Sequence, residues 1–454
     1  MNNDHSQRLT VAWMFFAFAV WVFCFWGFLT NQYTLTSDAL SYYDHTKFFI
    51  ENLSSGIFPL WDPFWCNGAP NDFFLRRIGC FNPFYLIILI FKTIGIPYTL
   101  SYLWFLALYY GGGMIAFYLL MMRLYQNRLL AYSGFLLLLF SSLGTRLFDS
   151  YMMLITVPII WFFYFLIAFS QSPKKHLFLG IGLSLMILAG TYIPFYFLII
   201  LTLFLVLFAI IYPKEIPSIF LVYQKFIQSN KVLVLLTLFI IAFSFLPIVN
   251  FYIDSAHGHV VMPIRHGNST EGHTLAVSHQ TLDWGIIEDF MYSSYFSDLR
   301  MFKFAVVYVP FFAFIVLSLG FMAAISRQAI FLFLLGSVLF CSMIPYGLPF
   351  YNFLYQHLFI LKYFRNLHFF IWFFLIPLFV MLVIEHWHLF NQFKLKSIKD
   401  RWLLASYVLI VHLGIFTFVC WRHDATPSTF IMLALSLVFW ILKIFDRLSR
   451  PSYA

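Results

Sequence analysis

The sequence predicts an all-α polytopic membrane protein, and three observations carry that prediction. Of its 454 residues, 62% are hydrophobic and only 10% charged, including 62 Phe side chains that a water-soluble fold of this size could not hide. Apolar runs of roughly 17 to 23 residues recur along the whole length, each long enough to cross a hydrocarbon core as a helix. Lys and Arg, finally, are distributed unevenly between alternate loops.

The runs place twelve spans, near residues 10–30, 99–122, 129–145, 150–170, 177–190, 193–212, 232–251, 304–326, 328–345, 367–384, 402–420 and 428–445. A shorter run, 81–94, carries Pro83 and ends at Lys92, and reads as a re-entrant or interfacial segment. With the N-terminus inside, the inner segments hold 16 basic and 5 acidic residues, and the outer ones 11 and 13. That asymmetry puts both termini in the cytoplasm. It also accounts for the net charge of +9 through orientation and contact with anionic lipid, so nucleic acid is not needed as a partner.

No soluble domain stands out, and residues 1–454 read as one transmembrane domain with two long outer loops, 31–80 and 252–303. No small-residue cleavage site follows the first apolar run, which therefore reads as an uncleaved span. Cys66 and Cys80 share the first outer loop, where an oxidising compartment would permit a disulfide; two unpaired small residues are the other reading. No heptads or convincing internal repeats are seen.

Carboxylates between apolar segments mark where chemistry or transport is expected in such a chain. Asp38 lies a few residues past the first span. The stretch 39–53 alternates so that Tyr42, Tyr43, Phe48, Phe49 and Leu53 would touch lipid or protein while Asp44, Lys47 and Glu51 face water. Gly56 and Pro59 end that helix, and Trp61-Asp62-Pro63 begins a turn. Asp38 is either the cap of the helix after it or a carboxylate able to orient an incoming hydroxyl and take its proton. Asp44 reads first as a solvated residue, and Asp62 as a turn former.

The order Asp38, interfacial helix, Gly56, Pro59-Leu60-Trp61-Asp62-Pro63, Gly68, Pro70 and Asn82-Pro83 resembles the first extracytoplasmic loop of YfhO-type bacterial membrane proteins. These belong to the wider class of membrane glycosyltransferases with the GT-C fold. Later in the chain, Phe364-Arg365-Asn366-Leu367-His368 is similar to a family segment reading Phe-Arg-x-Pro-x-Arg, with His368 in place of the second Arg. A weaker likeness lies at Leu246-Pro247, with Asn250 where the family often has an acidic residue.

The resemblance implies a GT-C-like bundle in the bacterial inner membrane, with its active site on the outer face. It implies transfer of a sugar, with inversion, from a polyprenyl phosphate to a hydroxyl of a cell-envelope acceptor. By analogy Asp38 is the catalytic carboxylate, base or acceptor-orienting; Asp44 and Asp62 are further candidates for substrate binding. The departing lipid phosphate needs a cation, and Arg suits it because its planar fork binds phosphate oxygens in pairs. Outward-facing candidates are Arg76, Arg77, Arg146, Lys362 and Arg365, with Arg365 preferred and His368 beside it. Each has a plain alternative: a span anchor for Arg365, headgroup binding for Arg76 and Arg77, and a local ion pair with Asp149 for Arg146. Some members of the class use a divalent metal and others none, which leaves the cofactor open. His257, His259 and His266 match no closed metal site by spacing. Two other functions stay open, a transporter or flippase of a lipid-linked saccharide and a surface polysaccharide polymerase or ligase. The first usually shows two related halves, absent here; the second would put the weight on loop 252–303.

Overall fold

The computed structural model describes residues 2–32, 35, 37–64, 68–145, 150–191, 194–246, 249, 250, 253, 257, 326–341, 374–392, 398–421 and 427–446. Among them the protein is all-α, apart from one antiparallel pair of two-residue strands. The first half runs α1 (Asn2–Cys24), α2 (Trp26–Leu29), α3 (Ser37–Ser54), β1 (Trp61–Asp62), β2 (Ala69–Pro70), α4 (Asp72–Ile78), a 3-10 turn Pro83–Tyr85, α5 (Leu86–Thr93), α6 (Tyr98–Tyr125), α7 (Arg128–Leu139) and α8 (Ser142–Thr145). Then follow α9 (Ser150–Gln171), α10 (Lys175–Ala189), α11 (Pro194–Ile211), α12 (Ile216–Ser229), α13 (Lys231–Ser244), α14 (Arg327–Cys341), α15 (Ile376–Gln392), α16 (Ile398–Trp421) and α17 (Pro427–Asp446).

Helix α6 is the centre of the bundle, packed between α7 and α9. Its 28 residues reach about 42 Å at the helical rise. It starts at Pro97 and stops where Gln126 turns left-handed (φ 51°), after which the Asn127 carboxamide oxygen accepts from Leu129 N and Leu130 N and starts α7. Glycines let neighbours approach closely. A β-carbon on Gly111 would lie 2.9 Å from the Phe18 ring, and one on Gly113 2.8 Å from Val157 of α9. Outward from this core, α10 packs on α9, α13 on α10, α15 on α7 and α14 on both α15 and α11. The α16–α17 hairpin joins through Trp440, whose ring lies against Trp387 and Phe390 of α15.

Among the described residues two helices, Tyr98–Tyr125 and Met153–Gln171, are long and apolar enough to cross a membrane, and a third crossing is available if α12 and α13 count as one broken span. Shorter apolar helical stretches include Leu9–Cys24, Arg128–Leu139, Lys175–Ala189 and Phe197–Ile211. Outer faces such as Val232, Leu235 and Phe239 of α13 are exposed, a surface compatible with surrounding lipid.

Several boundaries differ from the sequence reading. The run 129–145 is not one helix, because the chain breaks at Phe140-Ser141 and restarts as α8. There the carbonyls of Leu138 and Leu139 accept from the Tyr110 hydroxyl at 3.0 and 3.1 Å, so the break is satisfied by a side chain of α6. Residues 216–229, read as an inner loop, form a helix bent 100° from α13. Apolar Ile216, Ile219, Phe220 and Tyr223 repeat at helical spacing there, and Pro217 suits the first turn. The run 367–384 ends later than read: its described helix continues to Gln392 and buries Glu385, which accepts from the Ser326 hydroxyl. The expected span 304–326 lies outside the described residues except for Ser326.

Candidate functional site

The first long loop folds back on itself. Gly56 takes a positive φ of 75° after α3, and the Asn71 side chain reaches across to donate to the Pro59 carbonyl at 2.7 Å while its backbone N–H bonds Leu60 O at 2.8 Å. Trp61 pairs with Pro70 and Asp62 with Ala69. Gly68, at φ 106°, sits under the Trp61 ring, where a β-carbon would come within 2.7 Å. Asp62 is buried, and its carboxylate accepts from Phe64 N at 2.9 Å, which fixes the turn. Beyond α4, Asn82 caps the 3-10 turn by accepting from Phe84 N, and the Tyr85 hydroxyl donates to the carbonyl of Ile78 at the end of α4. Burial and its tyrosine neighbours hold the Tyr85 phenol well above the usual range.

These contacts lay α4 along α3. The Phe74 ring stacks on the His45 imidazole at 3.8 Å, and one turn later the Arg77 guanidinium lies 4.5 Å over the Tyr42 ring while donating to Ser41 Oγ at 3.0 Å. Position 38 is one helical turn before Ser41 and Tyr42, so its backbone is on the same side of α3 as the Arg77 contact. His45 is buried; burial first, then the Arg77 cation, push its pKa down to about 4, against the opposing pull of Asp62. A cation, a neutral imidazole and a buried carboxylate thus come together where α4 lies on α3, while the side chain of Asp38 lies outside what the structure describes.

Of the residues singled out in the sequence, Asp44 is exposed, as are Lys47 and Glu51, while Tyr42 and Phe49 are buried. Arg76 lies in α4 beside Arg77. Arg146, Lys362, Arg365 and His368 lie outside the described residues, as does most of loop 252–303. Cys80 is buried, and Cys66 lies outside the described residues. Among the described residues no three His, Cys, Asp or Glu side chains group to hold a metal ion. The residue that sequence reasoning missed is His45. Its signal was its register, seven residues after Asp38 and thus two turns along the same side of the helix.

Most of the motif residues have a common task at this site: Gly56, Pro59, Leu60, Trp61, Asp62 and Gly68 help the loop return so that α4 meets α3, whereas Asn82 starts the turn after α4. No protein-family model matches the chain, and comparison with curated proteins finds no relative of it.

Proposed function

We propose that the chain is a membrane glycosyltransferase of about twelve spans, with both termini in the cytoplasm. On this reading it takes sugar from a polyprenyl phosphate and passes it to a cell-envelope hydroxyl on the outer face. The observation that carries the reading is Arg77, docked on Ser41 and Tyr42 one turn from Asp38.

The acceptor oxygen attacks the anomeric carbon, and the bond from that carbon to the phosphate oxygen breaks on the opposite side. Asp38 receives the hydroxyl proton. The electron pair leaves on the lipid phosphate, whose growing charge meets the guanidinium in a poorly hydrated setting. Tyr42 and Ser41 hold the Arg77 plane, while Asp62 and neutral His45 position the α4 side of the site. Arg77 thereby takes the place at the head of the candidate cations that sequence alone gave to Arg365.

Arg77→Ala tests the assignment. Removing one electrostatic stabiliser of this kind lowers turnover by about 10²–10³, and Arg77→Lys recovers only part because an ammonium lacks the fork. Steady-state kinetics with a polyprenyl-phosphate sugar read both. Unchanged turnover in Arg77→Ala would remove Arg77 from the site.

A further inference from the structure

A well-formed cavity lies at the other end of the bundle. Its volume is about 660 Å³, within the roughly 300–1,000 Å³ range of ligand sites. The C-terminal half of α6 (Phe117, Leu120, Leu124) forms one wall, whereas the candidate site uses the N-terminal end of that helix, where Thr99 bonds Tyr43 at 2.8 Å. Ile160 of α9 and Phe204 of α11 line it, and α12, bent 100° from α13, closes one side with Ile219 and Phe220.

The lining is almost wholly apolar, and its polar members gather at one end. Ser170 and Gln171 end α9, Tyr212 follows α11, Tyr223 is on α12 and Gln328 opens α14. Exposed cations adjoin these residues in the chain: Lys174 follows Gln171 by three positions, Lys214 follows Tyr212 by two, Lys225 follows Tyr223 by two, and Arg327 immediately precedes Gln328. Glu215 and the buried Glu385, both close enough to act on Tyr212, are acidic residues in their midst, set against four cations. An apolar cavity with a polar, cationic mouth, bordered by an amphipathic helix, has the chemistry of a site for one lipid chain whose anionic head stays outside. Water gains little in such a lining, and a hydrocarbon chain gains its burial.

We infer that this cavity binds one acyl chain of an anionic phospholipid, with its headgroup at the Lys174, Lys214, Lys225 and Arg327 end. The site is separate from the proposed reaction at α3 and α4 and does not rest on it. Its occupant serves the bundle as a fixed lipid.

The test is photolabelling of the full-length protein in phosphatidylcholine vesicles doped with phosphatidylglycerol that carries a diazirine midway along one acyl chain. The expected map concentrates label on Phe117, Ile160 and Phe204, several-fold above the outward-facing Leu235 and Phe239 of α13. Ala209→Trp, which narrows the cavity from its lining, cuts the cavity label several-fold and leaves α13 unchanged. The same diazirine on phosphatidylcholine labels the cavity several-fold less. Even labelling of cavity and α13 would overturn the inference in favour of annular lipid, and no cavity label would mean that other parts of the chain cover it. Equal cavity labelling by the two lipids would overturn the headgroup assignment. The wild-type map decides the chain site even where Ala209→Trp fails to fold.

Discussion

At the scale of single residues, His45 sets a measurable pH dependence. Its pKa falls to about 4 from an ordinary 6.5, so the unfolded chain takes up this proton at a higher pH than the folded one. The His45 contribution to stability is therefore complete above about pH 6.5 and is lost as the pH falls toward 4. Thermal unfolding of the detergent-solubilised protein should show a midpoint that drops across that window. In His45→Phe, which keeps the stack on Phe74, this component should vanish. An undiminished drop in the variant would assign the pH dependence to other groups. The sequence shows a lone histidine in an amphipathic stretch, and nothing local marks it as buried. Its burial comes from Phe74, 29 positions away, which arrives only because the Pro59–Asn71 contact turns the loop back.

At the scale of elements, the apolar runs located most helices, and contacts between helices decided their ends. The break after α7 is invisible to a hydropathy window because the groups that satisfy it, the Tyr110 hydroxyl and the Leu138 and Leu139 carbonyls, come from different helices. Helix α12 escaped for the opposite reason: its apolar face is too narrow to read as a span, while its polar face carries Lys225 and Gln228. The α6–α9 seam offers a direct check. Gly113→Leu forces Val157 and the α9 backbone outward and should cost about 1–3 kcal/mol of stability. Gly112, with nothing within 4 Å of an added β-carbon, should accept Ala with no loss, since Ala is the better helix former. Parallel melting curves of the two variants make the comparison. Equal destabilisation would mean that close approach at Gly113 is not what holds the seam.

At the scale of the whole molecule, the composition points to the all-α class, and the proposed orientation, which rests on the charge asymmetry, would put Asp38 and the α4 loop outside. The opposite end holds the apolar cavity and its basic rim, so the two ends have different chemistry. The candidate site was legible in part. Asp38 and the Pro59–Pro63 segment stood out as polar residues in an apolar chain, but the partnership of Arg77 with Ser41, 36 positions apart, depends on tertiary folding. The central claim is that this α3–α4 wall performs glycosyl transfer with Asp38 as base. It is tested most directly by reconstituting wild type and Asp38→Asn in vesicles containing a radiolabelled polyprenyl-phosphate sugar and counting sugar transferred to envelope acceptors. The account predicts transfer by the wild type and a loss of about 10²–10⁴ in the variant, with matching melting temperatures and gel-filtration profiles. Wild-type transfer by Asp38→Asn would contradict it.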